Sequence, residues 1–544
     1  SSSLLQELED FIVNNFGFGD FIFRNNRGKE ISRASDLKSL KKSLNKIPDK
    51  TLEFHASKNH FSNWLAVRGE FSASSILRPL KVHTFSNLDD LRNLIIEQID
   101  IVLQANNEGR IVQYSSSAKD AGLNFVRLST GSLGGKARGL AFAINLLSES
   151  KINQKYDNIK LRVPKVAVIG TDDFDLFMED NKLWKTAFSK DKTDTSIIKA
   201  FLRGNLSKEL TRTLSKYLTE VKYPVAIRSS SLLEDSQYQP LAGMYSTYML
   251  PNSDTSKTIR LEQLKKAIKL VYASTYLKEP KSLIENSVHH HEEEKMAVII
   301  MELVGKEHAS LFYPSASGSA QSFNYYPVSY MKREEGVAHL ALGLGRTIAE
   351  GEKSLRFSPK YPGIIPQYYS TRSTIDNSQN QFYALDLKKA ARLLKDGKQE
   401  NTSSFELSVA EQDGELHWSG SVITEADNVL RDSLRHTGTR VITFPSFLKW
   451  ETAPIPDILI DVLKMGENAL GCPIEIEFAI NMHKNNEKEN EFCLLQIKPM
   501  VIGGLERVQK FDSINKDDLF CKSSIALGNG LIDNIKNIVI VDPT

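Results

Sequence analysis

The chain has 544 residues, more than a single hydrophobic core usually organises, and this length predicts roughly two to four domains. A formal net charge of +2 gives no reason to expect a nucleic-acid or membrane partner, and the fractions of charged (25%) and hydrophobic (41%) residues are ordinary for a folded soluble protein. The three cysteines, an odd number without metal-binding spacing, argue against a disulfide framework and favour a reducing compartment.

The N-terminal residues Ser1–Phe16 are polar and have helical spacing, without the basic segment and apolar core of a signal peptide. No apolar run approaches the roughly 20 residues that span a bilayer. We therefore predict a cytoplasmic protein. The serine at position 1 and the abrupt end at Thr544 suggest a fragment of a longer protein.

Residues 1–112 are predicted to form an accessory domain, mixed but mostly helical, because apolar residues recur at helical spacing in 4–12 and 88–99. His55 and His60 stand near other polar residues in this part and could form a site. Packed histidines are the favoured interpretation.

From about residue 113, short β-branched segments alternate with amphipathic helices. The predicted strands are 163–170, 224–231, 295–304, 474–480 and 492–500. The predicted helices are 136–147, 261–272, 384–394 and 457–470. The excess of strands favours an α+β (mixed α/β) fold with two lobes over one doubly wound sheet. We predict a first lobe at 113–255, a second lobe at 256–508 and, at 509–544, a C-terminal extension that begins a further domain.

Two polar segments interrupt this pattern. His289–Glu294 could bind a metal through its three histidines, but a solvated loop is the favoured interpretation. Lys484–Glu491 has no apolar residue and is predicted to be the tip of a hairpin between two strands.

A glycine-rich segment, Gly131–Gly139, is the first candidate site. Glycine lets backbone N–H groups approach an anion, a helix N-terminus adds positive potential, and Lys136 adds a mobile cation. Thr130 and Ala137 stand where a Walker A loop requires a glycine and a hydroxyl residue, which excludes that motif. The alternative interpretation is a tight turn before a helix.

The second candidate is the end of the predicted strand 224–231. Arg228 is followed by the three hydroxyls of Ser229–Ser231, a combination that suits a polyphosphate. Downstream, Gly243 and Thr247 belong to a small-residue turn that could close over the same phosphates. An ion pair of Arg228 with a downstream carboxylate at the strand edge is the alternative.

Two adjacent predicted strands carry the remaining candidates. Glu475 and Glu477 share one face of the first strand, where two like charges need a nearby cation such as Mg²⁺ on nucleotide phosphates. Gln496 and Lys498 share one face of the next strand. An antiparallel pairing of the two strands would bring all four side chains to one surface.

Taken in order, these segments resemble the nucleotide-binding domain of pyruvate phosphate dikinase and phosphoenolpyruvate synthase. The matching motifs are Gly134-Gly135-Lys136-Ala137, Arg228-Ser229-Ser230 with Glu234-Asp235, Ala242-Gly243 with Thr247, Glu475-Ile476-Glu477-Phe478 and Leu495-Gln496-Ile497-Lys498-Pro499. Residues 297–304 resemble the family's strand and hinge beside adenine, and 342–351 resemble its Gly-Leu-Gly segment. The resemblance covers about 120–505. Asn-Tyr-Tyr-Pro at 324–327 also resembles a segment of large bacterial proteins labelled as this synthase.

The resemblance implies an ATP-grasp-like fold that holds ATP and Mg²⁺ between two lobes. The implied nucleotide contacts are Gly134, Gly135, Lys136, Arg228, Ser229, Ser230, Gly243, Thr247, Glu302, Val304 and Gln496. The implied metal ligands are Glu475, Glu477 and Gln496, with the ribose as the alternative partner of the two glutamates. The implied catalytic residues are Lys136, Arg228 and Lys498, of which Lys498 would stabilise the transferring phosphoryl group electrostatically.

Lys498 stands where the family has arginine, and Glu475 stands where it has aspartate, so that transfer could be slower while ATP binding persists. No histidine fits the family's Thr-x-His-x-Ala phosphohistidine pattern, and the chain alone is not expected to make phosphoenolpyruvate. The favoured function is an ATP-dependent phosphotransferase whose acceptor lies on a missing segment or a partner protein. The alternative is a non-catalytic ATP sensor. An ATP-grasp ligase is less favoured, because nothing indicates a pocket for a carboxylate or amine substrate.

Overall fold

The computed structural model describes residues 20–25, 28–67, 71–85, 87–107, 112–114, 124–231, 245–285, 294–328, 331–388, 402–484, 488–500, 520 and 535–538. The chain divides into two compact units, Ser1–Asn124 and Phe125–Thr544. The finer division into four segments stays a prediction. The predicted helical spacing at 4–12 and the three histidines at 289–291 lie outside the described residues.

The first unit combines a small hairpin with several helices. Strands Phe21–Arg24 and Glu30–Ala34 pair antiparallel. The helices are Leu37–Leu44, Asp49–Ser57, His60–Val67, Phe71–Leu77 and Leu88–Asn107, with a 3-10 turn at Val82–Thr84 and a two-residue strand at Val112–Gln113. Their apolar side chains share one core, which includes Phe23, Trp64 and Leu65.

His55 and His60 are packed side chains of this unit. The His55 ring is buried, accepts a hydrogen bond at 2.8 Å from the backbone N–H of Arg24 and places its Nδ1 2.9 Å from Nδ1 of His60. Burial, assisted by the charge of His60, lowers the pKa of His55 to about 4, so the imidazole is neutral at pH 7. The interpretation of the pair as packed histidines is confirmed.

The second unit contains two larger sheets, of which sheet 1 carries the predicted Arg-Ser-Ser-Ser strand. In spatial order its strands in this unit are Phe125–Arg127, Val166–Ile169, Met296–Glu302, Val225–Ser231 and Tyr248–Leu250. The first two strands are parallel and the other pairs antiparallel. Val166–Ile169 is buried throughout, as expected of a central strand covered on both faces. The strands predicted at 163–170, 224–231 and 295–304 are confirmed with shorter bounds.

Sheet 2 contains the two strands that carry the predicted carboxylates and Lys498. Its spatial order is Leu355–Phe357, Val337–Ala341, Ala316–Gln321, Ile474–Asn481, Asn490–Pro499 and Ile159–Arg162. All pairs are antiparallel except the last. Ile476 and Phe478 are fully buried, whereas Glu475 and Glu477 are partly exposed, so the sheet has one apolar and one polar face. The antiparallel pair is confirmed. The hairpin tip predicted at 484–491 is wrong at its end, because Asn490 and Glu491 already belong to the second strand, and residues 485–487 lie outside the described part of the chain.

Helices cover both sheets. Those of the second unit are Gly134–Ser150, Thr171–Asp180, Trp184–Ala187, Asp194–Arg203, Lys208–Glu220, Lys257–Ser274, Lys278–Glu285, Arg346–Ala349, Thr371–Asn377, Leu407–Gln412, Leu416–Ser419, Pro445–Leu448 and Ile455–Leu470, with 3-10 turns at Ile152–Gln154 and Arg333–Glu335. The last helix packs on the apolar face of sheet 2. There a Cβ on Gly466 would lie 2.5 Å from Ile474 Cδ1 and 2.8 Å from Ile497 Cδ1, so the helix approaches the sheet closely.

Two smaller sheets complete the second unit and correct one prediction. Their strands are Lys306–His308, Leu311–Tyr313, Gln381–Asp386 and Thr402–Glu406, and Leu430–Arg431, Gly420–Thr424 and Gly438–Ile442. The helix predicted over 384–394 is wrong at its start, because 384–386 end a strand that pairs on both sides. Phe382 and Ala384 are buried on either side of the partly exposed Tyr383, which is the period of a strand. Residues 389–394 lie outside the described part of the chain. The predicted α+β fold is confirmed.

Candidate active site

The glycine-rich loop connects sheet 1 to the helix Gly134–Ser150. Gly131 has φ +98°, and a Cβ at this position would lie 2.5 Å from the backbone nitrogen of Asp172. The next residue, Ser132, exchanges two hydrogen bonds with Thr171, since its N–H donates to Thr171 Oγ1 at 2.9 Å and its carbonyl accepts from Thr171 N at 3.0 Å. The loop therefore takes its shape from close contact with the start of a neighbouring helix, and only glycine fits the turn.

The helix after this loop begins without a side-chain cap and lies against the Arg-Ser-Ser-Ser strand. Gly134 has φ +75°, and a Cβ there would lie 1.8 Å from the carbonyl oxygen of Ser230. The Ser230 hydroxyl accepts from Ala137 N at 3.0 Å and donates to the Leu133 carbonyl at 2.8 Å. Ser230, a predicted phosphate contact, thus holds the first turn of the helix in position.

Lys136 and Ser229 meet in the same place. Lys136 is 8% exposed, and its Nζ lies 3.4 Å from the hydroxyl of the buried Ser229. A buried ammonium is unfavourable unless it meets an anion or several acceptors. This contact brings together the glycine-rich segment and the Arg-Ser-Ser-Ser strand, both candidate sites in the sequence, through residues that are 93 positions apart.

Arg228 reaches from sheet 1 to sheet 2. Its Nη2 donates to Glu477 Oε2 at 3.0 Å and to Gln496 Oε1 at 2.9 Å, and its Nη1 donates to the Leu495 carbonyl at 3.3 Å. Leu495 is the extra residue of a β-bulge, because Glu477 pairs with Gln496 and Phe478 already pairs with Leu494. A bulge turns its backbone out of the regular ladder, and here the Leu495 carbonyl accepts from the guanidinium.

The other two candidates lie one pair further along sheet 2. Glu475 is directly opposite Lys498, and Lys498 Nζ lies 3.3 Å from Glu475 Oε1. The sequence predicted that Glu475, Glu477, Gln496 and Lys498 would share one surface, and this arrangement is confirmed.

Charge is balanced unevenly around Glu477. Burial acts to raise the pKa of its carboxyl, but the Arg228 guanidinium and the ammoniums of Lys136 and Lys498 outweigh it and hold the pKa below its usual value. Three cations thus surround two carboxylates, Glu475 and Glu477. Among the described residues of this cluster, the three cations outnumber the two carboxylates by one charge, which favours an anionic ligand.

Thr247 and Gly243 were predicted to close over the phosphates. Thr247 directly precedes the strand Tyr248–Leu250, whose first residue pairs with Ile227, the neighbour of Arg228. Gly243 lies outside the described residues. The structure therefore places Thr247 at the same end of sheet 1 as Arg228, and a phosphate contact for either residue stays a prediction.

Glu302 and Val304 were predicted to lie near adenine. The Glu302 carboxylate forms an ion pair with Arg162 at 2.9 Å and accepts from the backbone N–H of Lys165 at 3.0 Å. Val304 is buried against Ala479. Both side chains therefore contact residues of sheet 2 from the end of a sheet 1 strand, and the Glu302 carboxylate already has several donors.

Sequence reasoning missed Gln321, whose Nε2 donates to Glu475 Oε2 at 3.1 Å. Gln321 lies directly opposite Glu475 on the strand Ala316–Gln321. The signal was present, because Ser317, Ser319 and Gln321 alternate with Gly318 and Ala320, which is the pattern of a strand with one polar face.

Among the described residues, no group of three or more His, Cys, Asp or Glu side chains could hold a metal ion. A metal at Glu475 and Glu477 would therefore need further oxygen ligands, which Mg²⁺ commonly takes from water and nucleotide phosphates. In the described part of the chain, no helix has both the length and the apolar character to cross a membrane.

Comparison with known proteins points to one nucleotide-binding family. A sequence profile of the pyruvate phosphate dikinase AMP/ATP-binding domain matches residues 130–517. The uncharacterized phosphotransferase YvkC of Bacillus subtilis (strain 168) is 28% identical over 191 residues, which are 35% of this chain and 20% of YvkC. The chain thus spans about a fifth of the length of this curated relative. The profile match confirms the resemblance seen in the motifs and the ATP-grasp-like class of the fold.

Proposed function

Because the chain belongs to the family of the pyruvate phosphate dikinase AMP/ATP-binding domain, we propose that it binds ATP with Mg²⁺ between sheets 1 and 2 and transfers a phosphoryl group to an acceptor on another segment or protein. The observation that carries this proposal is the bridge from Arg228 to Glu477 and Gln496. It joins the strand of sheet 1 that carries the candidate phosphate contacts to the carboxylates of sheet 2. Phosphoryl transfer needs both cations for the phosphates and carboxylates for the metal around one substrate.

The chemistry of the residues fits a polyphosphate. Lys136, Arg228 and Lys498 outnumber Glu475 and Glu477 by one positive charge, and all three cations act on Glu477. The N-terminus of the helix Gly134–Ser150 adds positive potential beside Lys136. We assign Lys136 and Arg228 to the phosphates of ATP.

The residues also fit Mg²⁺. Glu475 and Glu477 face the same side of sheet 2, and Gln496 adds an amide oxygen, so the donors are all oxygens, as this hard cation prefers. When bound, Mg²⁺ would neutralise charge on the phosphate oxygens. The Gln496 oxygen now accepts from Arg228, so this guanidinium would orient the amide as well as contact phosphate.

Transfer would depend on electrostatics supplied by Arg228 and Lys498. Negative charge spreads over the equatorial oxygens of the transferring phosphoryl group, and positioned cations lower the energy of that state. Lys498 is held beside Glu475, which aims its ammonium across the polar face of sheet 2. As a point charge it matches a phosphoryl group less closely than a planar guanidinium would.

Calorimetric titration with a non-hydrolysable ATP analogue and Mg²⁺ tests the binding step. Lys136→Ala should weaken binding on the order of tenfold or more, because it removes a charge-assisted contact. Lys160→Ala is the matched control, since the Lys160 side chain is 54% exposed and lies at the edge of sheet 2. Equal affinity in wild type and Lys136→Ala would contradict the phosphate role of Lys136.

The second candidate function is a non-catalytic ATP sensor, favoured by the lysine at position 498 where the family has arginine. Turnover separates the two functions. With γ-labelled ATP and Mg²⁺, an enzyme should release or transfer label, and the label should disappear in Arg228→Ala. A sensor should show a higher melting temperature with ATP and no turnover. Absence of both effects at millimolar ATP would reject both functions.

A further inference from the structure

The polar face of sheet 2 continues beyond the proposed nucleotide contacts. Ser319 lies directly opposite Glu477 on one side and His339 on the other, and His339 lies opposite Arg356. Directly opposed residues in antiparallel strands share a face, so these four side chains form one row across four strands. At about 4.8 Å per strand, the row places Arg356 roughly 14 Å from Glu477.

Arg356 is held in place without a counter-charge. Its Nη2 donates to Asn324 Oδ1 at 3.0 Å and to the Tyr326 carbonyl at 3.1 Å. Burial lowers its pKa, and among the described residues no carboxylate pairs with it to oppose that effect. A half-buried guanidinium with only neutral partners is poorly stabilised, and an anionic ligand would correct this.

Two buried hydroxyls flank the row. Ser317 and Ser358 are 2% and 3% exposed, and the Oγ of each has no hydrogen-bond partner among the described residues. Ser317 stands two positions before Ser319 in the strand Ala316–Gln321, so strand alternation puts it on the same face as the row. Ser358 directly follows the strand Leu355–Phe357, which carries Arg356. Leaving a buried hydroxyl unpaired is costly, and both can donate to an oxyanion.

His339 lies between Ser319 and Arg356. Its Nδ1 is 3.3 Å from the hydroxyl of Ser354. Burial, followed by the charge of Arg356, lowers the pKa of His339 to about 4, so the ring is neutral at pH 7. A neutral ring adds no charge but can hydrogen bond to a bound molecule, so Arg356 is the cation among the four residues of the row.

Building on the proposed ATP site, we propose that Ser317, Ser319, His339 and Arg356 form an acceptor subsite. It takes a phosphate or carboxylate group that the acceptor carries, and Arg356 binds this oxyanion. The row directs the other end of the acceptor towards Glu477 and Lys498. There a nucleophilic atom of the acceptor would lose its proton and bond to the transferring phosphorus, while the P–O bond to the rest of ATP breaks and the remaining nucleotide leaves. Phosphate and carboxylate share the oxyanion chemistry that Arg356 recognises, and the experiment distinguishes them.

The test is calorimetric titration of inorganic phosphate, and separately of acetate, into the whole chain saturated with a non-hydrolysable ATP analogue. Wild type should bind at least one anion. Arg356→Ala should weaken that binding on the order of 10- to 100-fold, and Ser317→Ala by less, as expected for a charged and a neutral donor. Arg372→Ala is the matched control, because the Arg372 side chain is 91% exposed and should not affect binding.

Preference for phosphate would identify a phosphorylated acceptor, and preference for acetate a carboxylic acid. The proposal is overturned if neither anion binds wild type, or if both bind Arg356→Ala as tightly as wild type. Arg356→Lys guards against misfolding of the alanine variant, since it keeps the charge but loses the planar fork and should show an intermediate affinity.

A titration without nucleotide separates this proposal from the ATP site. If Lys136→Ala still binds phosphate and the double variant Lys136→Ala/Arg356→Ala does not, the phosphate binds at the acceptor subsite. Phosphate binding that disappears in Lys136→Ala and persists in Arg356→Ala belongs to the nucleotide phosphates and rejects the subsite. Failure of the ATP analogue to bind wild type would reject the proposed function alone.

Discussion

The two walls of the proposed ATP site are built by different means. The wall on sheet 1 is a matter of backbone approach, where Gly134 leaves no room for a Cβ beside Ser230. The wall on sheet 2 is a matter of charge, where Arg228 and Lys498 each pair with a carboxylate. Adding an atom should therefore disrupt the wall on sheet 1, and removing a charge should disrupt the wall on sheet 2.

This difference between the two walls allows steric and electrostatic contributions to the same site to be tested separately. The contact of Gly134 with the Ser230 backbone is steric, so a single added methyl group tests it. The ion pairs of sheet 2 are partly exposed, and each substitution there leaves a partner charge behind. Stability should respond most to changes in the first wall, and pH dependence and turnover to changes in the second.

Gly134→Ala should have the largest effect. Its Cβ would lie 1.8 Å from the Ser230 carbonyl oxygen, at φ +75°, so the helix must move away from the strand. We expect a loss of roughly 2–5 kcal/mol in the free energy of unfolding, as for other overpacked or strained sites. Urea denaturation of the whole chain measures it.

Gly351→Ala is the control for this prediction. Gly351 has φ +69°, but a Cβ there would have nothing within 4 Å, so it isolates the conformational cost of about 1 kcal/mol. Equal losses of unfolding free energy in the two variants would show that the close contact of Gly134 with Ser230 does not contribute to the destabilisation.

The loop wall was also the part of the site that the sequence predicted best. Turn glycines before a helix, and hydroxyls after an apolar strand, are local patterns that need no knowledge of the fold. The alternation of Glu475 with Glu477, and of Gln496 with Lys498, predicted their common surface for the same reason.

Contacts between distant segments were harder to predict. Arg228 and Gln496 are 268 positions apart, and no local pattern indicates that they meet. The family resemblance assigned Arg228 to the phosphates and Gln496 to the metal and nucleotide, without predicting their hydrogen bond. The row from Ser319 to Arg356 depends on the register of four strands, which the sequence leaves open. The strand at Gln381–Asp386 was mistaken in part for a helix, since a short apolar segment fits both periods.

Arg228→Met should change how stability depends on pH. The folded pKa of Glu477 lies below its ordinary value, so this group stabilises the fold above pH about 4.3 and loses that contribution as the pH falls through the folded pKa. Without Arg228 the pKa of Glu477 rises and the contribution shrinks. We expect a loss of about 1 kcal/mol at pH 7, kept small because the Glu477 side chain is 38% exposed.

Unfolding by urea between pH 3 and 7 measures this change, and Arg372→Met is the matched control for loss of an arginine. The variant should be less stable than wild type at pH 7 and approach it near pH 3. A constant difference across the whole range would mean that Arg228 stabilises through packing and not through Glu477.

Lys498→Arg should have the smallest effect on the fold and a specific effect on turnover. A guanidinium can keep an ion pair with Glu475 and also present two parallel donors to a phosphoryl group. We expect the rate of phosphoryl release from ATP to rise about three- to tenfold, with the affinity for the ATP analogue within about twofold of wild type. Lys160→Arg should change neither quantity.

If wild type shows no turnover and Lys498→Arg gains it, the lysine itself would account for a sensor, because the binding walls would be intact and only the charge pattern at the transfer position would differ. If the variant binds ATP and still shows no turnover, the lysine at 498 does not account for the missing transfer. The missing acceptor would then account for it.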